Sequence, residues 1–230
     1  HGMRCVTLAL GLKQRLKQLG MKADFHFVST KSAQLLVSLY RQNGFLHSVV
    51  DTVDSSVDHI KADVWIVDHY QLDRVFEQTL TNRNLKVMVI DDLANRQHHA
   101  EYLLDQTFER QQSTYVPLVN SDCQLLLGTE FSLIREEFIH LSDQARQKRQ
   151  QYEGPTHILI SLGGIDKHNA SGKILTLLTS TLNQSIYDDL SITVIASSDA
   201  PHLSQLQRQI KASTNTRLLL DCQNMAEQML

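Results

Sequence analysis

Two segments constrain the fold of this chain more than any others: VWIVDHY at residues 64–70 and KVMVIDDLANRQHH at residues 86–99. Each is a continuous apolar run, rich in β-branched residues, that stops abruptly at acids and histidines. A strand with one wet face alternates polar and apolar residues; a run without alternation reads as a strand buried on both faces, as in a parallel sheet. In open parallel sheets the ligand lies outside the carboxyl ends of the strands. Asp68, His69, Tyr70, Asp91 and Asp92 therefore fall where such sheets do chemistry. Asp is also a preferred helix N-cap, so each acid has a second reading as a cap of whatever follows.

The rest of the chain repeats the alternation of strand and helix. Leu8, Leu12, Leu16 and Leu19 recur at helical spacing with Lys13, Arg15, Lys17 and Gln18 on the other face, which predicts an amphipathic helix over residues 3–19 closed by Gly20. A strand at 23–29, a helix at 31–43, a strand at 47–52, a helix at 54–61, the strand 64–67, a helix at 71–83 and the strand 87–90 follow, with further apolar runs at 102–106 and 124–127. Residues 142–155 are polar and contain QARQKRQQYEGP, the composition of an interdomain linker, although residues 144–149 also have helix propensity. Alternation then restarts with strands at 156–162, 192–196 and 216–221 and helices at 171–181 and 202–212. The expected architecture is α/β: an N-terminal Rossmann-like layer over residues 1–143, a linker over 144–155 and a second Rossmann-like layer over 156–230. The chain begins inside an apparent helix and ends inside another, so a first strand is expected upstream of His1.

Composition excludes several function classes. With 22 Lys and Arg against 25 Asp and Glu, the net charge of −3 lacks the basic excess of a nucleic-acid surface. No apolar stretch reaches the roughly 20 residues of a membrane span, so no membrane partner is expected. Cys5, Cys123 and Cys222 are isolated from one another, which predicts no disulfide framework and a reducing, cytoplasmic setting. Eleven histidines are many, yet none falls in a metal-binding pattern, and neither a metal nor a cofactor is expected.

Three places could carry chemistry. In HILISLGGIDKHNASGKIL a buried strand runs into Gly163 and Gly164 before a helix that starts near residues 169–171; two glycines there allow backbone N–H groups to face a phosphate, and they also suit a plain turn. His1, with Arg4 and Cys5, precedes the first helix of the N-terminal layer; a terminal histidine can be a tag remnant, but this position lies at the strand edge beside residues 68–70, where an imidazole can serve as a general base. Asp91 and Asp92, followed by Arg96, His98 and His99, can bind a sugar hydroxyl or a metal, or can be a capped turn with Arg96 as ion-pair partner.

These residues carry a resemblance. His1-Gly2-Met3-Arg4-Cys5 looks like the end of a Gly-x-Gly-His-x-x-Arg-Cys motif, and with Asp68-His69-Tyr70, Asp91-Asp92, GTEFSLIREEF at residues 128–138 and Leu162-Gly163-Gly164-Ile165-Asp166 it resembles the nucleotide-sugar hydrolases of pseudaminic acid biosynthesis, which act on UDP-2,4-diacetamido-2,4,6-trideoxy-β-L-altropyranose. The resemblance covers nearly the whole chain. It implies two facing Rossmann-like domains of the glycosyltransferase-B type, similar to the transferase of lipid II synthesis, with water as acceptor, UDP as leaving group and a role in flagellin glycosylation. It implies His1 as catalytic base and Tyr70 as an active-site group that orients water or sugar. Arg4, Asp68, His69, Asp92, Gly163, Gly164 and Asp166 become substrate-binding candidates, with Ile165 standing where Thr is common, and the uracil contacts are implied to lie beyond Leu230.

Overall fold

The computed structural model describes residues 2–30, 36–54, 57–151, 157–163, 165–182, 186–187 and 189–230. The chain divides into two compact units, His1–Arg135 and Glu136–Leu230. Both are α/β, and among the described residues every strand pairing is parallel.

In the first unit, α1 (Gly2–Gln18) leads to β1 (His26–Ser29), then α2 (Val37–Gln42) to β2 (Leu46–Val49). These two strands pair with each other, Phe27 opposite His47. Gly20 and Gly44 end their helices at φ +70° and +67°. Met21 N–H then reaches Leu16 O at 2.9 Å, and Phe45 N–H reaches Tyr40 O at 3.0 Å, closing orphan carbonyls as a left-handed C′ residue permits. The inward faces of α1 and α2 meet in an aromatic cluster: Val6, Ala9, Tyr40 and Phe45 are buried, with Phe25 and Phe27 packed against them.

The second sheet of this unit runs in the order β3 (Val64–Val67), β4 (Lys86–Ile90), β5 (Tyr102–Asp105), β6 (Gln124–Leu127). Helix α3 (Arg74–Thr81) crosses from β3 to β4 and packs Phe76 and Leu80 on Trp65, Val67, Val87 and Val89. It starts three residues later than the periodicity suggests because Asp73 caps it, accepting a hydrogen bond from Val75 N–H at 2.9 Å. A short helix, α4 (Gln112–Tyr115), lies between β5 and β6.

The second unit begins with α5 (Glu136–Gln150), followed by β7 (His157–Ser161), α6 (Ala170–Thr181), β8 (Ser191–Ala196), α7 (Leu203–Lys211), β9 (Thr216–Leu220) and α8 (Met225–Gln228). Its sheet runs β7-β8-β9, with Ile192 and Val194 fully buried between Leu175 of α6 and Leu206 and Ile210 of α7.

Three expectations are corrected. The strand predicted over 23–29 is paired only from His26, and residues 57–61 are turn and coil where a helix was expected over 54–61. Residues 142–150 are helical, so their Gln, Lys and Arg residues form a solvated helix face rather than an extended linker. Helix α5 has no buried residue, which is why its pattern reads as polar throughout.

Candidate functional site

The first turn of α1 and the carboxyl ends of β3 and β4 converge on one guanidinium. Arg4 Nη2 donates to Asp68 Oδ1, Nε donates to Asp68 Oδ2 at 3.3 Å, and Nη1 donates to Asp92 Oδ2 at 2.8 Å. The Asp68 side chain is only 2% exposed, whereas that of Asp92 is 32% exposed. Tyr70, at the surface, donates its hydroxyl to the same Asp92 Oδ2 at 3.2 Å. Asp92 Oδ1 is buried and has no hydrogen-bond partner among the described residues, an unusual condition for a carboxylate oxygen. Burial pulls the Arg4 pKa down, but the bonds and charges of Asp68 and Asp92 outweigh it and hold the guanidinium above its ordinary value. Among the described residues, one cation against two carboxylates leaves the cluster with one excess negative charge. Such a site suits neutral hydroxyl or amide donors and repels a phosphate.

The neighbouring residues are less reactive. Cys5 Sγ lies 3.8 Å from Asp68 Oδ2, and burial together with that charge pushes its thiol up to about 12, so it stays protonated. His69 faces its own turn: its Nδ1 accepts from Gln71 N–H at 3.1 Å, which puts the neutral imidazole's proton on Nε2. Tyr70 has its phenol held above the ordinary value, first by desolvation and then by its bond to the Asp92 carboxylate. His1 lies outside the described residues.

Asp91 takes the structural option. It is 1% exposed, receives Arg96 Nη1 on Oδ1 at 2.8 Å and Ala94 N–H on Oδ2 at 2.9 Å, and so caps the turn after β4. It also belongs to a buried polar chain that the sequence did not disclose. Tyr115, fully buried, places its hydroxyl 2.9 Å from Asp91 Oδ2 and 2.8 Å from Asp105 Oδ2. Arg110 Nε donates to Asp105 Oδ2 at 2.6 Å, and its Nη2 donates to the main-chain oxygen of Asp92 at 2.8 Å. On the other side of Asp91 stands His98, 1% exposed, whose Nδ1 is 2.7 Å from Glu77 Oε1 and whose Nε2 is 3.7 Å from Asp91 Oδ2. Burial pulls the His98 pKa down, yet the two carboxylates prevail and raise it; Asp91 is held well below the usual carboxylate range, against its own desolvation, by its bonds with His98, Ala94 N–H and Tyr115 and by the charge of Arg96. A signal for Asp105 was present: YLLD at residues 102–105 is a third apolar run ending in an acid. Arg110 and Tyr115 lie in a stretch with no pattern of its own.

In the second unit, the loop from β7 to α6 carries a cluster of left-handed backbone: Gly163 at φ +80°, Asp166 at +36° and Asn169 at +49°. Non-glycine residues adopt such angles at a cost of about 1–2 kcal/mol each. Asp166 Oδ1 accepts Ala170 N–H at 2.8 Å and its Oδ2 accepts Ser171 N–H at 2.9 Å. The loop's own carboxylate thus takes two of the N–H donors at the start of α6. Those bonds outweigh partial burial and keep the Asp166 pKa low, so the cap is charged at neutral pH. The Asn169 side chain folds over the first turn so closely that a Cβ on Gly172 would lie 2.7 Å from Asn169 Oδ1. Gly164 lies outside the described residues; Gly163, Leu162 and Ile165 are exposed.

Among the described residues no group of three or more His, Cys, Asp and Glu side chains is placed to hold a metal ion, and no helix is long and apolar enough to cross a membrane. No protein-family model matches the chain. A curated protein of Campylobacter jejuni named UDP-2,4-diacetamido-2,4,6-trideoxy-beta-L-altropyranose hydrolase is 30% identical over 170 residues, which are 74% of this chain and 57% of that protein. The chain thus spans somewhat more than half the length of this relative.

Proposed function

We propose that the protein is a nucleotide-sugar hydrolase that splits UDP-2,4-diacetamido-2,4,6-trideoxy-β-L-altropyranose into UDP and the free sugar, in pseudaminic acid biosynthesis in the cytoplasm. The observation that carries the reading is the Arg4–Asp68–Asp92–Tyr70 cluster at the carboxyl ends of β3 and β4, supported by similarity to a relative that bears the hydrolase name. On this reading the two α/β units are the two domains of a glycosyltransferase-B type enzyme.

The roles follow from the chemistry. The cluster's excess negative charge suits the sugar, with Asp92 accepting from a hydroxyl or acetamido N–H and Tyr70 orienting sugar or water. Asp68, sequestered under Arg4, holds that arginine in place. His1, three residues before Arg4 in sequence, takes a proton from the attacking water as general base. The diphosphate is assigned to the loop that begins at Gly163, away from the first turn of α6, which Asp166 already caps. No step needs a metal or a cofactor.

A glycosyltransferase of the same fold and a non-catalytic UDP-sugar binding protein are the competing readings, since fold does not fix the acceptor. The test is UDP release by the full-length protein from the named nucleotide sugar, in water alone and with an added acceptor alcohol. Release in water at an unchanged rate with acceptor supports hydrolysis. Release only with acceptor indicates a transferase, and binding without release indicates a binding protein.

A further inference from the structure

Asp91 and Asp92 are adjacent in the chain but anchored in different ways. Asp91 is fixed through its side chain, by Arg96, Ala94 N–H and Tyr115. Asp92, one residue further from the strand, is partly exposed, and its carboxylate meets Arg4 and Tyr70. Its main chain is gripped from the far side of the sheet end by Arg110, on the loop between β5 and α4. The guanidinium spans two acceptors at once: Asp105 Oδ2 at 2.6 Å through Nε and the Asp92 carbonyl at 2.8 Å through Nη2. It lies 5.9 Å from the centre of the Tyr115 ring, whose hydroxyl in turn ties Asp105 to Asp91.

We infer that Arg110 is a positioning residue for Asp92: by fixing the Asp92 peptide it sets the direction in which that carboxylate reaches Arg4 and Tyr70. The inference rests on the reading of that cluster as the sugar site. The Asp91 side chain closes this turn through Ala94 N–H, and within the turn Arg110 is the side chain that holds the Asp92 carbonyl. The function requires arginine. A planar fork serves two acceptors in fixed directions, whereas a lysine ammonium is a single point on a flexible stem. Arg110 touches neither sugar nor water on this account, and acts through Asp92.

The test uses Arg110→Lys and Arg110→Gln in the full-length protein, with two readouts. The first is the Tyr70 phenol titration, followed by ultraviolet difference spectroscopy and assigned among the six tyrosines by subtraction of the Tyr70→Phe protein. Both variants should move the Tyr70 midpoint down, because the Asp92 carboxylate, which raises it in addition to desolvation, no longer faces the hydroxyl. The second is turnover of the UDP-sugar: kcat should fall about 10- to 100-fold, the scale of a misplaced active-site group. An unchanged Tyr70 midpoint in both variants overturns the inference, even if stability falls, since a merely structural arginine would lower stability alone. If Arg110→Gln does not fold, Arg110→Lys decides. A wild-type protein that turns over no nucleotide sugar refutes the sugar-site reading, and the Tyr70 titration still decides whether Arg110 positions Asp92.

Discussion

Glu77→Gln offers a sharp test of the buried polar chain beneath the candidate site. Glu77, Asp91 and Asp105 are buried acids, Arg96 and Arg110 pair with Asp91 and Asp105, and His98 lies against Asp91 and Glu77, which raise its pKa. Glu77 serves two donors: His98 Nδ1 at 2.7 Å on Oε1 and His99 N–H at 2.6 Å on Oε2. A glutamine presents one oxygen, so its amide N–H₂ must face one of these donors. That leaves a buried donor unsatisfied, at about 1–3 kcal/mol. It also removes the charge opposite His98, and breaking a buried ion pair costs about 3–5 kcal/mol in all. A loss of about 3 kcal/mol is therefore expected, or about 1–2 M in urea midpoint at a slope near 2 kcal/mol/M. The single tryptophan, Trp65, is buried on β3 against Phe76 of the helix that carries Glu77, so its fluorescence reports this unit. The pH dependence adds a second check. Because folding raises the His98 pKa, its contribution is fully present below the unfolded value of about 6.5 and is lost as pH rises through the folded value. In Glu77→Gln that folded value falls, so the loss of stability above neutral pH should shrink. A destabilisation under about 1 kcal/mol, together with an unaltered alkaline slope, would refute the charge assignment.

Further outcomes are expected at the site itself. Asp92→Asn should lower turnover about 10- to 100-fold, the worth of one hydrogen bond to a charged group, with little change in UDP affinity; equal turnover would remove Asp92 from the site. His1→Asn should cost about 10²–10⁴ in rate, as loss of a general base does, and turnover within about twofold of wild type would reassign the base. Exhaustive EDTA treatment should leave activity intact, because a cation at Asp91 would have to displace Arg96; loss restored by Mg²⁺ or Mn²⁺ would move the chemistry to Asp91 and Asp92. In ¹⁸O-labelled water the label should enter the sugar and not UDP, with the inverted anomer appearing first in NMR spectra, since attack by water at carbon 1 needs no covalent intermediate.

Much of the fold was legible because buried parallel strands have no alternation to confuse them. Residues 64–67, 86–90, 157–161 and 191–196 were read with bounds within a residue or two. What failed were short, marginal elements. Residues 54–61 have enough apolar positions for a helix, yet Val57 and Ile60 reach the core from turn and coil by packing on Trp65 and Val67. Helix α5 was hard to read for the opposite reason: with no buried face it has no periodic signal, and only its propensity distinguished it from a linker.

The site separates into what a strand-end pattern can show and what it cannot. The pattern offered Asp68, Tyr70 and Asp92, which meet around Arg4 and the Asp92 carboxylate, and it also offered Asp91, whose carboxylate turns back onto its own loop, as does that of Asp166, which the resemblance supplied. Type and position were the same in both groups; the distinction lies in which donors come within reach. An acid followed closely by unsatisfied N–H groups takes them, as Asp166 takes Ala170 and Ser171. An acid whose nearest cation comes from a distant helix, as Arg4 does for Asp68 and Asp92, depends on tertiary structure for its charge balance. Arg110 belongs wholly to this second kind. Its partners are 5 and 18 residues away in the chain, one of them a backbone oxygen, so no local spacing could announce it. The polar chain from Glu77 to Arg110 therefore ties the fold of the first unit to the direction of one partly exposed carboxylate. Its buried charges cost desolvation that an apolar core would avoid, and the orientation of Asp92 is a use for which that cost is spent.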